Sequence, residues 1–186
     1  MNDVSQVRTP PATPEDLLRF LERLGIKTVT QSHAAVFTVA QSSAINRSIP
    51  GGHTKNLFVK DKKDNYFLIV AEGSALIEMN RIHGRIGARS RLSFASADRL
   101  MEFLGVEPGS VTAFGVINDR QRRVGVILDE PLLAHGQISC HPLTNTMTTT
   151  ISRQDLLKFL DAVDHTPKIL ALSQAPDRME NRHDGK

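Results

Sequence analysis

The chain has a single cysteine, no tryptophan and one tyrosine in 186 residues, and aromatic residues make up only 5% of it. One cysteine, Cys140, excludes an intrachain disulfide and any cysteine-rich zinc site, and it makes a reducing, cytoplasmic compartment the default expectation. The scarcity of aromatics argues against a platform that stacks single-stranded bases, which needs several exposed rings. No apolar run approaches the roughly 20 residues of a membrane span. The polar start, residues 1–11, lacks the apolar segment of a secretory signal. There is no block of five or more like charges. With 23 Lys and Arg against 20 Asp and Glu, the formal charge is +3. That excess permits a polyanionic partner without requiring one.

Strand-like and helix-like patterns alternate along the chain, with at least one hairpin between them. This predicts an α+β fold: a single domain with a mixed β-sheet flanked by helices. Thr13-Pro14-Glu15-Asp16 reads as a capped helix start, and Gly25 ends that helix. Lys27–Gln31 alternates like a strand, and residues 39–47 suggest a short helix. Two β-rich runs, Lys55–Lys60 and Tyr66–Ala71, flank a turn at residues 61–65. Residues 74–86 are expected to be helical in their second half, and residues 91–94 to form a strand. Ser96 caps a helix over Ala97–Leu104, stopped by Gly105. Residues 111–118 are expected to be extended. Val124–Leu128 has no polar residue and reads as a central strand. Residues 137–141 and 146–151 are also expected to be extended, and Ser152 caps a last helix over residues 153–163. Residues 164–186 read as a polar tail. The expected organisation is a flexible lead over 1–12, one domain over 13–171 and a flexible tail over 172–186.

Three segments carry possible chemistry. Pro50-Gly51-Gly52-His53-Thr54-Lys55-Asn56 combines two glycines, which allow close backbone approach, with an ammonium and an amide at a strand start. Backbone N–H groups, Lys55 and Asn56 together suit a phosphate or a developing oxyanion. The same residues would also serve as a tight turn with a solvated lysine. The spacing is not that of a P-loop. Cys140-His141-Pro142 leads through Asn145 and Thr146 into a threonine run, either a polar pocket wall or a strand rich in β-branched residues. Residues 105–119, with Pro108-Gly109 and Phe114-Gly115, could shape a pocket or simply link a helix to a strand.

Conventional catalytic devices are missing. Cys140 and His141 are adjacent, so on a strand they point to opposite faces and cannot act as nucleophile and base. No Gly-x-Ser-x-Gly elbow occurs, and the seven histidines lack metal-site spacing, so no metal and no cofactor are expected. Arg81, Arg85, Arg89 and Arg91, with His83, form a basic stretch that could touch phosphates or remain solvated.

Taken together, the motifs resemble the YbaK/prolyl-tRNA synthetase-associated domain family, within it the stand-alone ProXp-ala/PrdX group. They are Val36-Phe37-Thr38, Gly51 to Phe58, Pro108 to Thr112, Phe114-Gly115, Asn118-Asp119, His141-Pro142 and Asn145-Thr146. The resemblance covers about residues 13–171. It implies a metal-independent hydrolase that removes alanine wrongly attached to proline tRNA, with Lys55 as the main functional residue. His141 is the expected second catalytic residue. Substrate contacts are expected from Gly51, Gly52, His53, Thr54, Asn56, Phe37, Pro108, Gly109, Phe114, Asn145 and Thr146. Ile49, Leu57 and Met147 are further candidate walls, as Phe37 and Phe114 are. The implied partners are misacylated tRNA, through its acceptor end, with prolyl-tRNA synthetase or an elongation factor as transient partners, and no membrane. Alternatives are a deacylase for cysteinyl- or seryl-tRNA, a small-ester or amide hydrolase, and a non-catalytic nucleic-acid-binding regulator. One departure, Ala34-Ala35 after His33 where relatives often carry proline, bears on local loop shape.

Overall fold

The computed structural model describes residues 9–35 and 48–173. The expected helix at 39–47 and the candidate Phe37 lie outside those residues. Among the described residues, eight strands form one mixed sheet in the order β1-β7-β6-β2-β3-β5-β8, with β4 also paired to β2. The strands are β1 Thr28–Ser32, β2 Gly52–Lys60, β3 Tyr66–Glu72, β4 Ser93–Phe94, β5 Val124–Asp129, β6 Gln137–Cys140, β7 Met147–Ser152 and β8 Lys168–Leu170. The helices are α1 Pro14–Arg23, α2 Met79–Ile86, α3 Ala97–Leu104 and α4 Arg153–Ala162. The α+β reading with a mixed sheet is correct: β2 pairs parallel with β6 and antiparallel with β3, and β5 lies between parallel neighbours β3 and β8.

Local chemistry sets the helix ends. The Thr13 hydroxyl accepts from Asp16 N–H while the Asp16 carboxylate accepts from Thr13 N–H, a reciprocal cap with Pro14 in the first turn. Ser96 and Ser152 cap α3 and α4 in the same sense, each accepting from the backbone three residues on.

The sheet has two unlike faces. One carries Phe58, Tyr66, Leu68, Val70, Val126, Leu128, Ile138 and Ile151, and its core also takes in Leu17 and Leu21 of α1, Leu104 of α3 and Phe159 of α4. The other carries Val59, Phe67, Ile69 and Ile127, covered by Ile82 and Ile86 of α2. The register across β2, β3 and β5 assigns these faces, because paired residues share a side and alternate residues do not.

Three expectations are corrected. Residues 113–118 form a 3-10 helix rather than a strand, started by the Thr112 hydroxyl, which accepts from Phe114 N–H. The short side chain competes locally for the backbone donor and turns it inward. Residues 164–173 are no free polar tail. Lys168–Leu170 pairs with β5, Leu172 is buried, and the buried Asp129 carboxylate accepts from Leu172 and Ser173 N–H. The packed chain therefore runs past residue 171. The lead is also partly fixed, since Ala12 N–H donates to the Asn118 side-chain oxygen.

A buried ion pair clamps this returning segment. His165 and Asp119 are each only 2% exposed at the side chain, and Nε2 lies 3.0 Å from the Asp119 carboxylate. Nδ1 lies 2.8 Å from the Val163 carbonyl, so both ring nitrogens donate and the imidazolium is the matching form. Burial opposes that charge, but the Asp119 carboxylate and the Val163 carbonyl outweigh it and raise the His165 pKa. Burial likewise opposes ionisation of Asp119, and donation from His165 and from Val124 and Arg123 N–H outweighs it and lowers the Asp119 pKa.

Removing one partner of such a pair costs about 3–5 kcal/mol, so His165→Ala should lower the urea midpoint sharply. The His165 contribution is full below its unfolded pKa of about 6.5 and is lost as pH rises through the higher folded value. The Asp119 contribution is lost as pH falls below about 4. The gap between wild type and His165→Ala should therefore peak between about pH 4 and 6.5 and narrow towards pH 9. A gap independent of pH would contradict a charged pair.

Candidate functional site

The register that separates the two faces also sorts the candidate residues. His53 pairs with Ser139 across β2 and β6, and Ser139 pairs with Thr150 across β6 and β7. His53, Lys55, Ser139, Thr148 and Thr150 therefore share the face that α2 covers farther along the sheet, and His141 continues the same alternation past β6. Ser139, Thr148 and Thr150 are buried, while His53, Lys55 and His141 are half-buried. This face thus has an apolar half under α2 and a polar half around Lys55.

Each polar group is fixed by named partners. Lys55 Nζ donates to the Ala75 carbonyl at 2.6 Å, which aims the long side chain and leaves two of its three donors for other acceptors. Ser139 Oγ donates to the Pro50 carbonyl and lies 3.0 Å from Thr150 Oγ1. His53 Nε2 donates to the Ile49 carbonyl, so in the neutral ring Nδ1 keeps a lone pair. His141 Nδ1 donates to the Met147 carbonyl at 3.0 Å. Its Nε2 then carries the lone pair and has no partner among the described residues. Burial pushes the His141 pKa below its ordinary value, with His33 and His53 adding repulsion, against the opposing Met147 carbonyl. His141 is therefore neutral at pH 7 with a free acceptor nitrogen.

His33 belongs to the same group, and sequence reasoning missed it. Its ring centroid lies 6.3 Å from that of His141, and Nε2 is 2.9 Å from Thr148 Oγ1. His33 follows β1, which pairs with β7. A lone histidine before two alanines carries no local signal; its place depends on that long-range pairing.

The glycines serve packing. Gly51 has φ +102°, and a Cβ there would lie 2.9 Å from the Gln137 carbonyl oxygen. A Cβ at Gly52 would lie 2.6 Å from the His135 ring. Both let the start of β2 run close against the start of β6.

Other expected contacts fall elsewhere. Thr54 and Asn56 alternate with Lys55 and face the opposite side, with Phe58. Thr54 Oγ1 donates to the Ser139 carbonyl, and Asn56 Nδ2 donates to Thr54 Oγ1. Phe114 is fully buried in the large core, edge-on to Phe159 with centroids 5.2 Å apart, so it packs helices rather than lining a pocket. Pro108 and Gly109 are exposed, and Gly109 (φ +91°) sits beside Asn145, whose Nδ2 is 3.7 Å from the position of a Cβ there. Thr146 is exposed, and its carbonyl accepts from His33 N–H. Ile49 is buried, its carbonyl holding His53.

Cys140 points into the large core. Burial pushes its thiol pKa up to about 12, against the weaker effect of the Thr54 hydroxyl. Among the described residues no three His, Cys, Asp or Glu side chains are grouped to hold a metal ion, and no helix is long and apolar enough to cross a membrane.

This arrangement can bind and polarise a carbonyl or phosphate oxygen at Lys55 and offer a neutral base at His141. The Cys140 thiol, buried in the large core, faces away from it. Residues 33–159 match the model of the aminoacyl-tRNA editing domain, and the chain belongs to that family. It is 37% identical over 90% of its length to prolyl-tRNA synthetase associated domain-containing protein 1 of Danio rerio, covering 94% of that protein. It is 33% identical over 82% of its length to the prolyl-tRNA editing protein ProX of Acetoanaerobium sticklandii, covering 93% of that protein. A solved structure described as a proposed trans-editing enzyme for prolyl tRNA synthetase superposes with a TM-score of 0.66 at 18% identity, over 88% of this chain and 99% of the other. At that identity the superposition speaks for the fold.

Two outcomes are expected from this geometry. Gly51→Ala should cost about 1–3 kcal/mol, read as a fall in the urea midpoint. Cys140 should resist iodoacetamide in the native protein and react once the protein is unfolded; rapid native labelling would contradict its burial.

Proposed function

We propose that the protein is a trans-editing deacylase that hydrolyses the ester linking alanine to proline tRNA. The observation that carries this reading is the shared sheet face of Lys55 and a neutral His141 with a free Nε2. The names of its relatives support prolyl-tRNA as the substrate class.

An aminoacyl ester is already an activated acyl group, so the site needs only to position water and stabilise the oxyanion. Lys55 takes the ester carbonyl oxygen as negative charge develops on it. His141 Nε2 accepts a hydrogen bond from the attacking water or from the ribose hydroxyl beside the ester, which holds the attacking oxygen in place. Water oxygen bonds to the carbonyl carbon, the bond from that carbon to the ribose oxygen breaks, one proton of the water passes to the departing oxygen and the other is released to solvent. The amino acid leaves as its carboxylate. Protein groups and water suffice for these steps.

Selection of alanine over proline is steric, as in a second sieve that admits only the smaller side chain. Leu57, on the Lys55 face, and Phe37 are the candidate walls. A small apolar pocket rejects a hydroxyl or thiol poorly, so serine and cysteine are the competing substrates. Misacylated tRNA is the partner, met in the cytoplasm, with prolyl-tRNA synthetase or an elongation factor as transient donor.

Deacylation of a panel of alanyl-, seryl-, cysteinyl- and prolyl-tRNA tests the reading. Alanyl-tRNA(Pro) should be hydrolysed fastest and prolyl-tRNA(Pro) spared; no hydrolysis of any charged tRNA would contradict it. Activity that needs neutral His141 should persist below pH 6.5 and fail at lower pH, where His141 gains its proton. His141→Gln should lower the rate and remove the part of that acid limb due to His141. An unchanged profile would assign the acid limb to other groups.

A further inference from the structure

Charge on this chain is nearly balanced, and some of its exposed cations stand in ion pairs while others do not. Arg19, Lys60, Arg81, Arg99, Arg122 and Arg123 each lie against a carboxylate. Lys62, Lys63, Arg85, Arg89 and Arg91 are exposed and have no ion-pair partner among the described residues.

These five come from three places in the sequence, and a buried carboxylate gathers two of them. Asp61, at the end of β2, is 1% exposed and accepts from the backbone N–H groups of Lys63, Asn65 and Arg89. Lys62 N–H donates to the Ser90 hydroxyl. The turn bearing Lys62 and Lys63 is thereby fastened to the segment bearing Arg89 and Arg91. Arg85 lies in the last turn of α2, just before that segment. Lys168 closes the group: its Nζ lies 3.2 Å from the position of a Cβ at Gly87. Burial works against ionisation of Asp61, and donation from Asn65, Arg89 and Lys63 more than offsets it, so Asp61 stays a carboxylate well below the usual range. Its oxygens are taken up by the Asn65 side-chain amide and by backbone N–H groups of the turn and of Arg89, so it forms no ion pair with the side-chain cations outside.

The patch is placed for a long anion that also reaches the polar half of the sheet. α2 packs on the face that carries Lys55, through Ile82 and Ile86 against Val59 and Ile69. Lys55 and the end of β2 at Lys60 are five residues apart on one strand, about 17 Å. A ligand spanning both must be elongated and charged along its length. Among the described residues one exposed phenylalanine, Phe94, follows Arg91, too few for a base-stacking surface. Cations without a stacking platform suit the phosphates of a duplex.

We infer that Lys62, Lys63, Arg85, Arg89 and Arg91 form a docking surface for the phosphate backbone of an RNA duplex whose 3′ end lies at Lys55. The position of that end rests on the function proposed above; the binding of duplex phosphate does not.

The test uses the full chain and a variant with Lys62, Lys63, Arg89 and Arg91 all changed to Gln. A control neutralises Lys27, Arg120, Arg122 and Lys158, an equal loss of charge elsewhere. Binding of uncharged tRNA is measured against salt concentration. The patch variant should bind about tenfold or more weakly, and its log–log salt slope should fall by about 3, while the control shifts far less. Hydrolysis of alanyl-tRNA(Pro) and of a short alanyl-CCA ester without a duplex is measured in parallel. The patch variant should show a raised KM on the tRNA and an unchanged rate on the short ester. Equal loss in patch and control variants, an unchanged slope, or binding to phosphatidylserine vesicles but not to RNA would overturn the docking surface. If wild type binds RNA through the patch yet hydrolyses neither ester, the surface stands and the deacylase reading falls.

Discussion

Everything at the candidate site depends on the alternation of β2, held in register from both sides. β3 pairs along most of its length, β6 pairs at its start and β4 at its end. Phe58 must enter the large core and Val59 the smaller one, so Lys55 can face only the side of Val59. A slip of one residue would exchange Lys55 with Asn56 and drive a lysine towards Phe58 and Val70. Burial of the strand's apolar half therefore fixes where the charge stands. The glycines at the start of β2 serve the same end by letting β6 approach, and β6 brings Ser139 and His141 alongside.

Local signals were the most legible. The capped helices, the turn at residues 61–65, the central strand at Val124–Asp129 and the mixed sheet all follow from spacing and turn chemistry. Residues whose roles depend on distant partners were not readable in the same way. Residues 111–118 look extended by composition, but the Thr112 hydroxyl closes a 3-10 turn there. Residues 164–173 look like a tail because their anchors, Asp119, Asp129 and the edge of β5, lie far back in the chain.

The site was legible as a segment and less so as a set of side chains. Gly51 to Asn56 stood out, yet a strand divides such a segment between two faces, and Thr54 and Asn56 fell on the core side. Phe114 looked like a pocket wall and is a core residue, a distinction that composition cannot make. His33 was passed over because only the pairing of β1 with β7 brings it to His141. For Cys140, adjacency to His141 already sets the two side chains on opposite faces of a strand, and its thiol is buried in the large core and held neutral.

The proposed chemistry is electrostatic positioning of a reactive ester by Lys55. Single-turnover deacylation of alanyl-tRNA(Pro), comparing Lys55→Met with Thr54→Val, separates the two faces of β2. A rate about 100- to 1000-fold lower for Lys55→Met, with a folded protein and near-normal rates for Thr54→Val, is the expected result. A wild-type rate for Lys55→Met would contradict the role given to Lys55.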